Sequence, residues 1–285
     1  MKILKRLLPA RLKTNVKTRI RIMGARVRYT FGRTIVFRDS HGFQYKCDNL
    51  AAFTKYVREG QLQPKVEEYL RMMLKSGDTV IDIGANIGAI SFSAAEVVSP
   101  NGKVFAFEPE HANYKKLVHN IDLNGLSAYI TSIKAAIYSH DGDVTLNVFN
   151  ASQFHSVGHY NIGEYSPHGE EFVSSMTLDQ FIEEQDLSQV ALLKVDVEGA
   201  EPDVFSGAKK SLEKHIFQQI IFEISIVPLT GNGYVVEDVF QPLLDAEYSL
   251  HILETTSNPK PLNASDVERA GYGNYLALSP ERTLR

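Results

Sequence analysis

The stretch Val80-Ile81-Asp82-Ile83-Gly84-Ala85-Asn86-Ile87-Gly88 reads as a buried apolar strand that breaks into a tight turn and passes at once into a helix. Gly84 and Gly88 permit positive φ and a close approach of backbone to a ligand. The amides at the start of the following helix attract polar groups, and Asp82 adds a carboxylate at the strand end. A glycine turn of this kind is common, so its meaning depends on the strands downstream.

The next strand, Lys103-Val-Phe-Ala-Phe-Glu108-Pro, ends on a carboxylate 20 residues after Gly88. A carboxylate at that place can accept hydrogen bonds from both hydroxyls of a ribose, and the spacing is shared by dinucleotide and S-adenosylmethionine sites. Each position taken alone also fits a plain capped helix start. A third stretch, Leu192-Leu-Lys194-Val-Asp196-Val-Glu198-Gly-Ala-Glu201, ends another apolar strand in charge. Strand alternation predicts Lys194, Asp196 and Glu198 on one side, with Val195 and Val197 on the other. Buried charge is costly unless paired, so these groups either pair with each other or serve a ligand.

Outward from these three stretches the chain alternates strand and helix, which predicts a mainly parallel sheet covered on both faces. Strands are expected at 79–83, 103–107, 129–134, 190–196, 217–224, 247–254 and 273–278. Helices are expected at 88–98, 110–124, 177–185, 200–214 and 235–245, with an extra β segment at 143–149. No helix is readable between the last two strands, which predicts an antiparallel strand at the C-terminal edge. Upstream, Pro64–Lys75 has helical spacing, and 34–46 reads as two strands around a turn at Ser40–Gly42. Residues 150–172 look like a long loop carrying His155, His159 and His168. The expected division is a basic arm and β-hairpin extension over 1–55, then a catalytic domain over 56–285.

In order and spacing, Asp82-Ile-Gly-Ala-Asn-Ile-Gly88, Phe107-Glu-Pro, Thr177-Leu-Asp179 and Lys194-Val-Asp-Val-Glu-Gly-Ala-Glu201 resemble the FkbM-type methyltransferases, over roughly residues 56–224. The resemblance implies a Rossmann-like class I methyltransferase fold, α/β, with a mainly parallel seven-stranded sheet and S-adenosyl-L-methionine as cofactor. Asp82, Gly84, Asn86 and Gly88 would surround the methionine part and Glu108 would hold the ribose. Ala135 and Ala136 would lie near the adenine, and Asp196 would face the methionine amine or the acceptor. Asn86 stands where many class I enzymes have glycine, in keeping with this family.

The implied reaction is O-methylation of a hydroxyl on a sugar, glycan or other small molecule. In-line transfer from a sulfonium needs the acceptor placed and water excluded, and a hydroxyl also needs a group to take its proton. The candidates are Asp196 and Glu198, then Glu223 and His155. Asp196, Glu198 and Glu201 are three oxygen donors in six residues, yet Glu201 also suits the first turn of a helix, and no metal is expected. Two other classes share parts of the pattern. A nicotinamide-dependent oxidoreductase would use Gly84, Gly88 and Glu108, but the chain offers no Tyr-x-x-x-Lys signature. A non-catalytic scaffold would have no reason to keep Asp82, Glu108, Asp196 and Glu198 together.

The 285 residues carry a net charge of -4, unevenly distributed. Residues 1–28 hold ten Lys and Arg and no Asp or Glu, leaving 20 basic against 34 acidic residues in the rest. An acidic body repels a phosphate backbone, which argues against nucleic acid. The basic arm, with Ile3, Leu4, Leu7 and Leu8, fits contact with an anionic membrane surface, a solvated tail or a partner subunit. The single cysteine, Cys47, excludes an internal disulfide framework. With no long apolar run or secretion signal, the expectation is a cytoplasmic protein, peripheral at the inner membrane if the arm docks there.

Overall fold

The computed structural model describes residues 35–47, 63–149, 156, 157, 167, 169–253, 259–262 and 271–282. The chain divides into two compact units, Met1–Pro64 and Lys65–Arg285. The basic arm and His155, His159 and His168 lie outside the described residues.

Within the first unit, β1 (Ile35–Arg38) pairs antiparallel with β2 (Gln44–Cys47). Asp39 closes the turn, its Oδ1 accepting the N–H groups of His41 and Phe43 at 2.9 Å each. Tyr45 donates to the other oxygen at 3.2 Å, and its ring stacks on Phe37. The expected hairpin is present.

Helix α1 (Pro64–Met73) leads into the second unit, whose elements run in the order β3 (Thr79–Ile83), α2 (Ala89–Val98), β4 (Lys103–Phe107), α3 (His111–Leu123), β5 (Ile130–Ile133), β6 (Ala136–Ile137), β7 (Gly142–Val148), β8 (Ser156–Val157), β9 (Gly169–Met176), α4 (Leu178–Glu184), β10 (Leu192–Val195), α5 (Glu201–Ser206), α6 (Lys209–Glu213), β11 (Gln219–Ile224), α7 (Ile226–Gly231), α8 (Val236–Asp245), β12 (Ser249–Ile252), β13 (Lys260–Pro261) and β14 (Gly273–Leu278).

The main sheet runs β13-β12-β14-β11-β10-β3-β4-β5. Pairs β11–β10, β10–β3, β3–β4 and β4–β5 are parallel, while β14 is antiparallel to both β11 and β12. This is the Rossmann-like class I methyltransferase arrangement. The C-terminal strand is antiparallel as expected, and it slots between β11 and β12, so β14, β12 and the two-residue β13 together make the antiparallel edge. From β3 the chain goes outward through β4 and β5, then returns to β10 on the other side of β3. Ligands of open α/β sheets bind at such a reversal, beyond the strand C-termini.

Strands β3 and β10 are buried nearly throughout because helices cover both faces, which is why they read as continuous apolar runs. Small residues let α2 pack close: Ser91, Ser93, Ala94 and Ala95 are all buried on it beside Ile90 and Phe92. On α1, Tyr69 reaches the sheet and donates to Gln219 Oε1 at 2.7 Å, and Gln219 donates in turn to the Ala191 carbonyl at 3.2 Å.

Three expectations need correction. Residues 150–172 are not all loop: β9 begins at Gly169 and, with β6, β7 and β8, forms a second, four-stranded sheet around Ala136, Val144, Leu146 and Val173. The single helix expected over 200–214 is two, α5 and α6. A side chain at Gly207 between them would collide with the Tyr138 carbonyl, so the chain turns there with glycine. Finally, the strand carrying Lys194 stops at Val195, so simple alternation does not extend to Asp196 and Glu198. Both Glu198 (φ 51°) and Gly199 (φ 94°) turn left-handed, which ends any strand geometry.

Candidate functional site

The turns after β3, β4 and β10 meet at the reversal point. Gly84 and Ala85 both donate to the Phe107 carbonyl, at 3.0 and 2.9 Å, and Asp196 donates its N–H to the Ile83 carbonyl at 3.0 Å. Gly84 has φ 82°, and a Cβ there would drive into the Asp196 carbonyl. Gly88, at φ 102°, caps α2, and a Cβ on it would press on the ring of Phe92 at 2.5 Å. Both glycines are therefore demanded by packing of the protein against itself, whatever else they allow. Asn86 also has positive φ (51°), which asparagine tolerates better than most residues. The adjacent Ile87 carbonyl is held by the Asn120 side chain at 3.1 Å.

Glu108 is buried just past β4. Its two oxygens accept the N–H groups of Asn86 (2.8 Å) and Glu110 (3.0 Å), tying two turns together. Burial outweighs those hydrogen bonds and pushes its pKa up to about 8. Glu110 caps α3, accepting from Ala112 and Asn113 at 2.8 and 2.7 Å. Asp82 is enclosed within β3 and accepts from the Ser91 hydroxyl at 2.6 Å. Burial raises it to about 6, against the Ser91 hydrogen bond and the charge of Lys194.

Lys194 stands directly across from Asp82 in the β3–β10 pairing and is completely buried. Its Nζ lies 3.3 Å from Asp196 Oδ2 and donates to its own Val195 carbonyl at 3.1 Å. One cation thus serves two carboxylates.

Glu198 lies among carboxylates. Burial, then Asp196, Glu223 and Glu201, hold its pKa well above the usual carboxylate range, with a Ser225 hydrogen bond pulling the other way. Asp196, Glu198 and Glu223, all singled out from the sequence, are brought together. Glu201 points inward: Oε1 accepts from Gly199 (3.2 Å) and more weakly from Val197 (3.4 Å), and Oε2 is buried with no hydrogen-bond partner. Burial raises it to about 7. Such a carboxylate holds the 197–199 loop from beneath. Among the described residues no cluster of three His, Cys, Asp or Glu is arranged to hold a metal.

Ala135 joins the main core beside Ile83 and Phe107, at the end of the sheet where an adenine is expected, whereas Ala136 packs into the core of the second sheet. Thr177 and Asp179 are structural. Thr177 caps α4 by accepting from Gln180 at 3.2 Å, and Asp179 caps α6 by accepting from Lys210 and Ser211 at 2.9 and 2.8 Å. Two residues that the sequence did not single out belong to this end of the sheet: Ser225, bonded to Glu198, and Tyr272, whose hydroxyl donates to Glu223. A tyrosine between Gly271 and Gly273 at the start of the last strand was the available signal.

Comparison with known proteins bears on this arrangement. The family description "Methyltransferase FkbM domain" matches residues 82–250, more than half of the chain, and takes in Asp82, Glu108, Asp196, Glu198 and Glu223 but not Tyr272. The hexuronic acid methyltransferase AglP of Haloferax volcanii is 26% identical over 189 residues, covering 65% of this chain and 71% of that protein. The 2-O-methyltransferase NoeI of Sinorhizobium fredii is 26% identical over 183 residues, covering 59% and 73%. Among solved structures, a methyltransferase FkbM from Methylobacillus flagellatus has a TM-score of 0.47 and 14% identity, covering 81% of this chain and 54% of that one.

Proposed function

Since the chain belongs to the FkbM methyltransferase family and is an S-adenosylmethionine-dependent methyltransferase, we propose that the atom it methylates is a hydroxyl oxygen of a sugar or glycan, with Glu198 taking the hydroxyl proton. The observation that carries this reading is the position of Glu198. It sits at the reversal point of the sheet beside Asp196, Glu223 and Glu201, and burial together with those carboxylates raises its pKa well above the ordinary carboxylate range, which makes it a stronger base than a free glutamate. Relatives named as a hexuronic acid methyltransferase and a 2-O-methyltransferase support the choice of a sugar hydroxyl.

The donor set fits the cofactor. Glu108 is an acceptor beyond β4, suited to ribose hydroxyls, and Asp196 is an anion suited to an ammonium group or to the acceptor. Asp82 would act on the methionine part through the turn that it and Ser91 stabilise, with Gly84, Asn86 and Gly88 shaping that turn and Ala135 and Ala136 at the adenine end. Bound there, S-adenosylmethionine supplies an electrophilic methyl on a sulfonium. The protein's own work is to hold the acceptor oxygen in line, exclude water and receive one proton on Glu198. Lys194 pairs with Asp196 at 3.3 Å, and the Asp196 carboxylate helps keep Glu198 basic. His155, outside the described residues, is the alternative proton acceptor.

Residues 56–285 form the catalytic domain in this reading, and 1–55 an extension whose first 28 residues, with ten Lys and Arg and no Asp or Glu, suit an anionic membrane surface carrying the acceptor. No helix among the described residues is long and apolar enough to cross a membrane. Co-sedimentation of the full chain with vesicles containing anionic lipid tests the extension.

The first experiment is calorimetric titration with S-adenosylmethionine and S-adenosylhomocysteine, with NAD and NADP as controls, repeated on Glu108→Ala. The second is transfer of labelled methyl to a panel of glycosides, with the product linkage read by mass spectrometry. Saturable binding of the first pair, weakened in the variant, and an O-methyl sugar product are expected. A product methylated only on nitrogen, or no methylated sugar at all, would overturn the sugar assignment.

A further inference from the structure

The antiparallel register of β11 and β14 pairs Glu223 with Asn274 and Ile224 with Gly273. Tyr272 therefore enters β14 where β11 runs out into Ser225, at the end of the sheet that holds Asp196 and Glu198. The turn before it is pinned, because Tyr275 donates to the Gly271 carbonyl at 2.9 Å. Tyr272 is 74% exposed, an uncommon state for so large an aromatic side chain. A lone exposed aromatic residue means little. This one is different because its hydroxyl is bonded to Glu223 and lies within the field of Glu198 and Asp196. Its ring is thus tethered beside the carboxylates with much of its surface open.

The polar atoms around it share one character. The carboxylates Asp196, Glu198 and Glu223 accept hydrogen bonds and, when ionised, donate none. Across from Glu223, the side-chain oxygen of Asn274 is buried without a hydrogen-bond partner. The complement of such a wall is a molecule rich in donors, with an apolar face for the ring. A sugar has both: its hydroxyls donate, and its C–H face covers an aromatic plane. A carboxylated sugar would bring a further negative charge against carboxylates that already repel one another, and like-charge juxtaposition is an effective means of rejecting a partner.

Building on the assignment of a sugar acceptor, we propose that Tyr272 and Glu223 form the acceptor subsite, and that it takes an uncharged sugar ring laid against Tyr272 in preference to an acidic one. Glu223 then orients the acceptor through its hydroxyls while Glu198 faces the reacting oxygen. This sets the chain's preference apart from that in the name of its Haloferax volcanii relative, the hexuronic acid methyltransferase.

The test is saturation-transfer NMR on the full chain loaded with S-adenosylhomocysteine, using methyl glucoside and methyl glucuronide as paired probes. Wild type is expected to transfer saturation to the glucoside and little to the glucuronide. Tyr272→Ala should weaken glucoside binding about tenfold, the scale of a lost aromatic contact, and Tyr272→Phe should stay within about twofold. Glu223→Gln should admit the glucuronide. Retained binding of S-adenosylhomocysteine shows that each variant is folded. Equal or stronger signal from the glucuronide in wild type, or a glucoside signal indifferent to Tyr272→Ala, would overturn this proposal and leave the sugar assignment standing. Silence from both probes on cofactor-loaded protein would overturn both.

Discussion

Lys194, with no side-chain surface exposed, places its ammonium 3.3 Å from the Asp196 carboxylate while facing Asp82 across the β3–β10 pairing. An enclosed cation between two carboxylates is a unit: removing one member strands the others. Lys194→Met should destabilise the protein by about 3 kcal/mol, the usual scale for breaking a buried pair. In a domain of this size that lowers Tm by roughly 10 °C. Combining it with Asp196→Asn should recover part of the loss. A thermal melt of Lys194→Met that matches wild type would show that the pair contributes nothing.

The Glu108 carboxyl gives a pH dependence with a definite sign. Its folded pKa of about 8 lies above the ordinary 4.5, so its contribution to stability is complete below about 4.5 and is lost as pH rises through about 8. Asp82 and Glu201, raised to about 6 and about 7, act in the same direction. Ligand-free protein should therefore melt at a lower temperature at pH 8 than at pH 5.5, and Glu108→Gln should flatten the slope. A Tm that rises over this interval and is insensitive to Glu108→Gln contradicts the assignment.

The same residue predicts proton release. If Glu108 accepts from the ribose hydroxyls as proposed, they favour its charged form, so binding of S-adenosylmethionine at pH 7 should expel a proton. Calorimetry in two buffers of different ionisation enthalpy reads that proton directly. Release that persists in Glu108→Gln would assign it to another group.

The sequence reads Gly84 as room for a ligand, yet the structure fills that space with the Asp196 carbonyl. Gly84→Ala must therefore disturb the loop carrying Asp196 as well as strain a left-handed backbone. The expected cost is about 3 kcal/mol of stability. A variant as stable as wild type that has merely lost cofactor affinity would restore the simpler reading.

How much the sequence made legible depends on how local each signal is. Strand β3, its turn and α2 are written in consecutive residues, and Glu108 at the end of β4 is one strand further on, so this half of the sheet was readable. Strand β9 was missed because its inward residues include Val173 and Ser175 while Phe172 faces out at 79% exposure, so its hydrophobic alternation is inverted. Helix α7 has six residues, including Pro228 and Gly231, too few to show a helical period. Tyr272 meets Glu223 only because β14 lies antiparallel beside β11. That pairing depends on sheet order, which local pattern does not encode.

Glu201 separates charge from shape. Its Oε1 supports the N–H groups of Val197 and Gly199, on either side of the left-handed Glu198, while Oε2 has no partner. Glu201→Gln keeps an acceptor and removes a buried charge, so stability at pH 8 should hold or improve. Glu201→Ala orphans both N–H groups and frees the loop, so turnover should fall about tenfold with cofactor affinity preserved, about 1.4 kcal/mol, within the range for lost buried hydrogen bonds. Equal activity in the alanine and glutamine variants would remove the loop-holding role.

Glu198 carries the sharpest expectation. Replacing a general base removes a factor of about 100 to 10,000 in rate, so Glu198→Gln should lose turnover on that scale while its affinity for S-adenosylhomocysteine is unchanged. Because a base must be ionised, the wild-type rate should fall as pH drops through the raised pKa of Glu198. The carboxylate of Glu223 helps hold that pKa up. Glu223→Gln should therefore move the acid limb of the kcat profile to lower pH, even though acceptor binding also weakens and raises KM. The split matters, because a merely structural Glu198 would leave the position of the limb unchanged when its neighbour is neutralised. An acid limb that stays in place in Glu223→Gln, or persists in the residual activity of Glu198→Gln, would assign the proton to another residue, with His155 the next to replace.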